Sequence, residues 1–224
     1  MMDFENIPKI GYGSFTAVEI ADILNIDYQQ VHRWMNIYWD GKIGKEYGCK
    51  YSWITDGKRA VSFHTFVEFY IMMQFSEAGV KPKKVLDAHR ELSKIFKTPF
   101  PFAKRKVLEN IHTDKKRIFF EGSNMTLDGS KQFNLNLIEQ FFIKLDFNSN
   151  DLASKYYPLG KEKSILVDPE RKFGQPVFKT HNTFPDILYS HYKAGDSMDY
   201  IAAIYELDKA DVKDAIAYKT RKAA

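Results

Sequence analysis

The chain is short of the groups that most readily betray a function. It has one cysteine, Cys49, in 224 residues, which excludes an internal disulfide and a multi-cysteine zinc site and suits a reducing compartment. No uninterrupted apolar run approaches the ~20 residues of a membrane span, and the start MMDFENIPKI lacks the basic-then-apolar order of a secretory signal. The expectation is a soluble, cytoplasmic protein with no membrane partner. A strong charge of either sign is missing as well: 33 Lys and Arg face 29 Asp and Glu, for a formal net charge of +4. The resulting pI of about 8.9 permits nucleic-acid binding without arguing for it.

Catalytic and metal-binding patterns are equally scarce. The six histidines, His32, His64, His89, His112, His181 and His191, are dispersed, without the close helical or hairpin spacing a metal site needs. Cys49 stands beside Lys50 with no legible Cys-His-Asn set, so it reads as a packed or loop thiol. Gly11-Tyr12-Gly13-Ser14 follows no strand and lacks the spacing of a phosphate loop. The carboxylates Asp168, Glu170, Asp186, Asp196 and Asp199 are explained by turns, caps and solvated helix faces rather than by a two-metal nuclease centre. No enzyme activity, cofactor or metal is expected.

What is present is a packed-core composition, 44% hydrophobic and 15% aromatic, and a recognisable motif near the start. Residues Thr16 to Trp34 read as two short amphipathic helices broken at Asn25-Ile26-Asp27. Val18, Ile20, Ala21, Ile23 and Leu24 form the apolar stripe of the first helix. Asp27 is the expected N-cap of the second, with Gln30 at the capping-box position. Val31, Trp34 and Met35 would face inward, leaving Tyr28, Gln29, His32, Arg33 and Asn36 outward on the helix that such motifs lay in the DNA major groove. The three glycines of residues 39–48 suggest a loop. Tyr51–Thr55 and Arg59–Phe63 then flank Asp56-Gly57-Lys58, a strong hairpin signal. A hairpin there is a wing, and its tip would set Lys58 and Arg59 on phosphates.

Further along, Thr65–Ala78 reads as a largely buried helix, and Pro82 opens an amphipathic one that stops at Thr98-Pro99. Beyond Pro99-Phe100-Pro101-Phe102, short segments at 106–111, 117–121, 126–127 and 132–133 suggest a small antiparallel sheet, with turns at 113–116 and 128–130. A helix is expected over 136–145, broken by Asn148-Ser149-Asn150-Asp151. Extended pieces at 164–167 and 174–178 lead into helices at 184–194, 197–205 and 209–221. The last two, joined by Glu206-Leu207-Asp208, repeat the spacing of the opening motif. The fold class expected is mostly α with a small β component (α+β), in three parts: a winged helix-turn-helix over 1–100, a connecting α+β segment over 101–163 and a C-terminal trihelical domain over 164–224.

Val167-Asp168-Pro169, Phe173-Gly174-Gln175-Pro176-Val177, Ala194-Gly195-Asp196-Ser197, Ile201-Ala202, Tyr205-Glu206-Leu207, Val212 and Ala215-Ile216-Ala217-Tyr218 resemble the small C-terminal domain of unknown function found in VapB-type antitoxins. Val61-Ser62-Phe63, Val67-Glu68-Phe69, Ala78-Gly79-Val80 and Pro101-Phe102-Ala103 are similar to the MerR-like winged domain of the larger, two-domain members. The resemblance implies an antitoxin of a type II toxin–antitoxin pair, which neutralises a toxin, often a PIN-domain ribonuclease, and represses its own operon. The partners it implies are promoter double-stranded DNA and a cognate toxin, and two-fold half-sites would make the chain a homodimer. DNA contact is assigned to Tyr28, Gln29, Gln30, His32, Arg33, Lys58 and Arg59, and a second DNA or partner contact to Lys179, His181, Asn182, Lys209 and Lys213. Two rival readings stand beside it. One is a MerR-like regulator without a toxin, although no long C-terminal coiled coil or paired metal-binding cysteines are visible. The other is a protein-interaction module that binds no DNA.

Overall fold

The structure, a computed structural model, describes residues 9–113, 118–120 and 141–221. It is mostly helical with small antiparallel sheets, an α+β fold. Strand β1 (Phe15–Thr16) leads into α1 (Ala17–Leu24). Thr16 Oγ1 accepts from Glu19 N at 3.4 Å while the Glu19 carboxylate accepts from Thr16 N at 2.7 Å, a reciprocal cap that starts the helix. Asn25, left-handed with φ 57°, ends it. Asp27 Oδ1 then accepts from Gln29 N at 2.7 Å and Gln30 N at 3.3 Å to open α2 (Tyr28–Arg33). Only the Asp27 half of the expected capping box forms among the described residues. Val31, Trp34 and Met35 are buried as their spacing predicts, but Val18, assigned to the inward stripe, is 64% exposed.

The second helix does not stop in the glycine-rich stretch. It widens into a π-helix over Trp34–Gly44 and closes in α3 (Lys45–Tyr47), where a loop was expected. Glycine is a helix breaker on propensity grounds, but here two glycines permit the wider winding. A Cβ on Gly41 would lie 2.7 Å from the Asn36 carbonyl oxygen, and one on Gly44 would lie 2.6 Å from that of Cys49. Trp34, Trp39 and Ile43 are carried into the core by this segment.

The hairpin forms as expected, with β2 (Ser52–Thr55) and β3 (Lys58–Val61) joined through Asp56 and Gly57, both at positive φ. β1 adds a third strand in the order β1-β3-β2, pairing Phe15 with Val61. A two-residue strand has no periodicity to read. Helices α4 (Phe63–Glu77) and α5 (Pro82–Phe96) follow. Along α4 burial is nearly all-round and includes Glu68, whose side chain is fully buried with that of His89 on α5, the two 2.8 Å apart but off the in-line hydrogen-bond direction. Phe102 N donates to the other Glu68 oxygen at 2.9 Å. Burial pushes the Glu68 carboxyl up, and His89 and the Phe102 and Ala103 amides pull it partly back.

The segment expected as a strand at 106–111 is instead α6 (Arg105–Glu109), which precedes β4 (Ile111–Thr113) and its partner β5 (Ile118–Phe120). Of the turn expected at 113–116, Thr113 is instead the end of β4 and 114–116 lie outside the described residues, as do the turn expected at 128–130 and the segments at 126–127 and 132–133. The helix expected to Leu145 ends at 144, because Leu145–Phe147 (β6) pairs with Ala153–Tyr156 (β7). This middle segment does not merely bridge two ends. Val107, Leu108, Phe141, Leu145 and Tyr156 join the same buried cluster as the N-terminal helices, and the Tyr156 ring lies 4.9 Å from that of Tyr70.

A separate buried cluster, built on Ile165, Phe178, Leu188, Ile201, Val212 and Tyr218, holds the C-terminal unit together. Its hairpin is β8 (Ile165–Leu166) with β9 (Val177–Phe178), followed by α7 (Pro185–Ala194), α8 (Met198–Tyr205) and α9 (Lys209–Thr220). The second helix-turn-helix matches the first cap for cap. Ser197 stands where Thr16 does, left-handed Glu206 where Asn25 does, buried Leu207 where Ile26 does, and Asp208 where Asp27 does.

Two substitutions test this packing by urea denaturation. Gly44→Ala is expected to cost about 1–3 kcal/mol through backbone crowding. Glu68→Ala, which strands His89 in the core, is expected to cost about 3–5 kcal/mol, and Glu68→Gln, which keeps an acceptor for Phe102 N, distinctly less.

Candidate nucleic-acid interface

The first helix-turn-helix and the hairpin become one object through Asp40, a side chain on the π-helical segment. Its Oδ1 accepts from Tyr51 N at 2.7 Å and Ser52 N at 3.2 Å. Its Oδ2 accepts from Ser52 Oγ and from Arg59 Nη1, the latter at 2.7 Å. One carboxylate therefore grips Tyr51 and Ser52 at the entry to β2 and reaches across to β3, locking the wing against the continuation of the second helix. The π-winding of that segment sets where Asp40 emerges. Sequence reasoning did not find this residue, because its partners lie in elements whose approach no local pattern encodes.

The consequence for the wing is a division of labour. Lys58 is exposed and makes no ion pair among the described residues. Arg59 is half-buried and bonded to Asp40 and, at 3.0 Å, to Ser52 Oγ. Its guanidinium holds the wing in place rather than standing free beside it.

On the second helix Tyr28, Gln29, His32 and Arg33 are exposed together, while Gln30 is half-buried. The Tyr28 and His32 rings, one turn apart, rest against each other at 5.7 Å. Arg33 has no side-chain partner among the described residues, leaving its full donor fork open. Asn36, expected outward, is half-buried with its amide donating back to the His32 carbonyl at 2.9 Å. The exposed face therefore offers an aromatic pair, one amide and one guanidinium, groups able to bond base edges in a groove.

The second set of predicted contacts separates into two groups. His181, Asn182 and Lys179 gather around Arg171: its Nε donates to Asn182 Oδ1 at 2.9 Å, and its Nη atoms to the carbonyls of Phe178, Lys179 and His181. The Lys179 ammonium donates to the Lys161 carbonyl and lies 5.5 Å over the Tyr157 ring. These groups brace a turn. Lys209 and Lys213 lie away on α9, where Lys209 pairs with Asp199 at 2.8 Å and Lys213 is exposed and unpaired among the described residues.

The end of α9 docks on α1 of the first motif. Asp22 receives the Lys219 ammonium at 3.3 Å and the Tyr218 hydroxyl at 3.4 Å, while Lys219 also reaches Asp186 at 2.9 Å. Arg221, stacked on the Tyr218 ring at 3.8 Å, donates to the carbonyls of Asp22 and Ile23 at the end of α1. Gln175 Nε2 donates to Glu19 at 2.8 Å. Val18 lines the groove between the units, which explains its exposure.

Burial, with Asp40 adding to it, pushes the Cys49 thiol up, away from nucleophilic thiolate chemistry. Among the described residues no three His, Cys, Asp or Glu side chains are grouped to hold a metal ion, and no helix is long and apolar enough to cross a membrane.

The arrangement is that of a winged helix-turn-helix chain carrying a second helix-turn-helix of the same design. Residues 165–218 match the family model described as a protein of unknown function (DUF433), which spans the C-terminal unit from β8 to the last turns of α9. The X-ray crystal structure of Rv2018 from Mycobacterium tuberculosis is similar over 95% of this chain and 100% of that chain, with a TM-score of 0.68 at 16% identity, a likeness of fold. No curated protein matches the chain.

The Asp40 anchor is directly testable. Asp40→Ala is expected to destabilise the fold by about 2–3 kcal/mol and to speed hydrogen exchange at the Tyr51 and Ser52 amides beyond the global change. Unaltered exchange at those two amides would show that the wing holds its place without the carboxylate.

Proposed function

We propose that this chain is a DNA-binding antitoxin that represses its own operon, its N-terminal MerR-like unit reading promoter DNA and its VapB-like C-terminal unit engaging a toxin, as a homodimer on two half-sites. The observation that carries the DNA half is the joint exposure of Tyr28, Gln29, His32 and unpaired Arg33 beside an anchored wing with a free Lys58. Arg33 and Gln29 are the base-reading candidates, since a guanidinium or an amide makes paired bonds to guanine or adenine edges. Each such pair is worth about 1–3 kcal/mol of discrimination. Lys58 supplies phosphate contact, hence affinity and salt dependence without sequence choice.

The toxin half rests on the resemblance of the C-terminal segment to antitoxin domains, and one feature of the surface supports a protein partner there. The α9 face offers Lys209, Asp211 and Lys213, mixed charges rather than a basic stripe, while Ile187, Tyr192, Tyr200 and Ile204 are exposed large hydrophobics on α7 and α8.

Titration of DNA from upstream of the chain's own reading frame, at several salt concentrations, tests the DNA reading. Arg33→Ala is expected to lose roughly 1–3 kcal/mol of specific binding, and Lys58→Ala to lower the salt slope by about one. Absence of binding by the wild type at low salt removes the repressor reading. A toxin-coding neighbour whose growth arrest this chain relieves on co-expression supports the antitoxin half, and failure to relieve it leaves a regulator alone.

A further inference from the structure

The loop between β8 and β9 of the C-terminal unit holds a side chain in a position that folding does not require. Lys172, Phe173 and Gly174 form a tight turn with three consecutive positive φ angles, 47°, 57° and 86°. For an aromatic residue this backbone region is a real outlier, and it persists only where the surroundings impose it. Here they do. The Phe173 carbonyl accepts from Ser14 N at 2.9 Å, and Gly174 is pressed so closely on the Phe15 ring that a Cβ there would lie 2.2 Å from it. Arg171 pins the other side through Phe178, Lys179, His181 and Asn182. Yet the Phe173 side chain that this strained turn presents stands mostly in solvent: it is 72% exposed.

Its neighbours suggest what it is for. Phe173 lines one shallow depression of about 540 Å³ with Lys9, Ile10, Thr55, Asp56 and Lys58, which places it beside the wing tip. Ile10 is 98% exposed. Lys9, Lys58 and Lys172 make no ion pair among the described residues, while of the carboxylates lining the depression Glu19 is engaged by Thr16 and Gln175, leaving Asp56. An apolar projection with Lys9 and Lys58 lining the same depression and Lys172 next to it in the chain matches a polyanion with apolar faces between its charges, which describes a stacked duplex. Proteins that enter the minor groove insert such wedges between base steps and kink the helix.

We propose that Phe173 is a DNA wedge: while the second helix of the first motif occupies the major groove, the C-terminal unit's loop inserts Phe173 at a base step in the adjoining minor groove, with Lys172, Lys58 and Lys9 on the flanking phosphates. This rests on the DNA-binding reading above and adds that the C-terminal unit contributes to DNA distortion through this loop, independently of its own helix-turn-helix. Flexible pyrimidine–purine steps are the preferred sequence, because they unstack most easily.

The experiment uses the full chain and a duplex from upstream of its own reading frame, with donor and acceptor dyes at the ends and 2-aminopurine at successive steps beside the protected half-site. Wild type is expected to bend the duplex by roughly 20–90° and to brighten 2-aminopurine at one step. Phe173→Ala still binds, within about tenfold of wild type, but loses both signals, and Phe173→Leu recovers part of the bend. Phe173→Gly relieves the left-handed backbone, so Tm rises by roughly 2–4 °C while bending is lost. A bend and 2-aminopurine signal that survive in Phe173→Ala overturn the wedge, as does a fall in Tm for Phe173→Gly, which would make the ring a structural group. Loss of self-association or of a protein partner in Phe173→Ala, with duplex distortion intact, overturns it in favour of a protein contact. Wild-type binding without distortion removes the wedge and leaves the DNA reading standing, whereas no binding at low salt removes both.

Discussion

The Asp40 carboxylate is the point on which the N-terminal architecture turns. A helix-turn-helix and a hairpin are each small and locally specified, and neither by itself dictates how the other is placed. Four hydrogen-bond donors, from the Tyr51 and Ser52 amides, the Ser52 hydroxyl and Arg59, converge on this nearly buried carboxylate. Because a buried charge without partners is expensive, the wing has one favourable seat, the one that satisfies Asp40. The π-helical winding that presents Asp40 depends in turn on Gly41 and Gly44, whose missing side chains let carbonyls pass at contact distance. Wing placement therefore traces back to two glycines.

The two helix-turn-helix units show how one local design diverges by what its second helix exposes. The caps, the left-handed helix stop and the apolar turn residue correspond one to one. On the exposed faces of the two second helices, Tyr28, Gln29 and His32 correspond to Lys209, Ala210 and Lys213. The position of exposed Arg33 is taken by Asp214, which is buried and accepts from Ser164 N at 2.9 Å and pairs with Lys163 at 3.1 Å. The first unit leaves its donors exposed, and the second engages the same position with the start of its own hairpin. With the tail of α9 clamped on α1 through Asp22, the second unit is a fixed neighbour of the first.

Much of this was legible from local chemistry. The cap at Asp27, the hairpin at Asp56-Gly57 and the inward residues Val31, Trp34 and Met35 of the second helix and its continuation follow from rules that act over a few residues. Legibility ended where distant segments met. The loop reading of 39–48 failed because glycine count cannot distinguish a break from a close approach, and the strand reading of 106–111 failed because a short apolar stretch suits either period. Val18 was assigned inward from its own helix's stripe, although its surroundings are set by the C-terminal unit. Arg59, Lys179, His181 and Asn182 carried the right chemistry for an interface, but the structure engages them with Asp40, Lys161 and Arg171.

The sequence by itself determined the helix-turn-helix pair, the wing and the residue types on the exposed face of the first unit's second helix, because caps, turn dihedrals and apolar periodicity are decided within a turn or two of chain. The tertiary structure alone decided which charged groups remain free, where the wing sits and that Phe173 stands beside its tip. Those outcomes depend on Asp40, Asp22, Arg171 and Phe15 meeting partners far away in sequence, and the energies that choose among such meetings come from burial and desolvation, which exist only once the chain has packed.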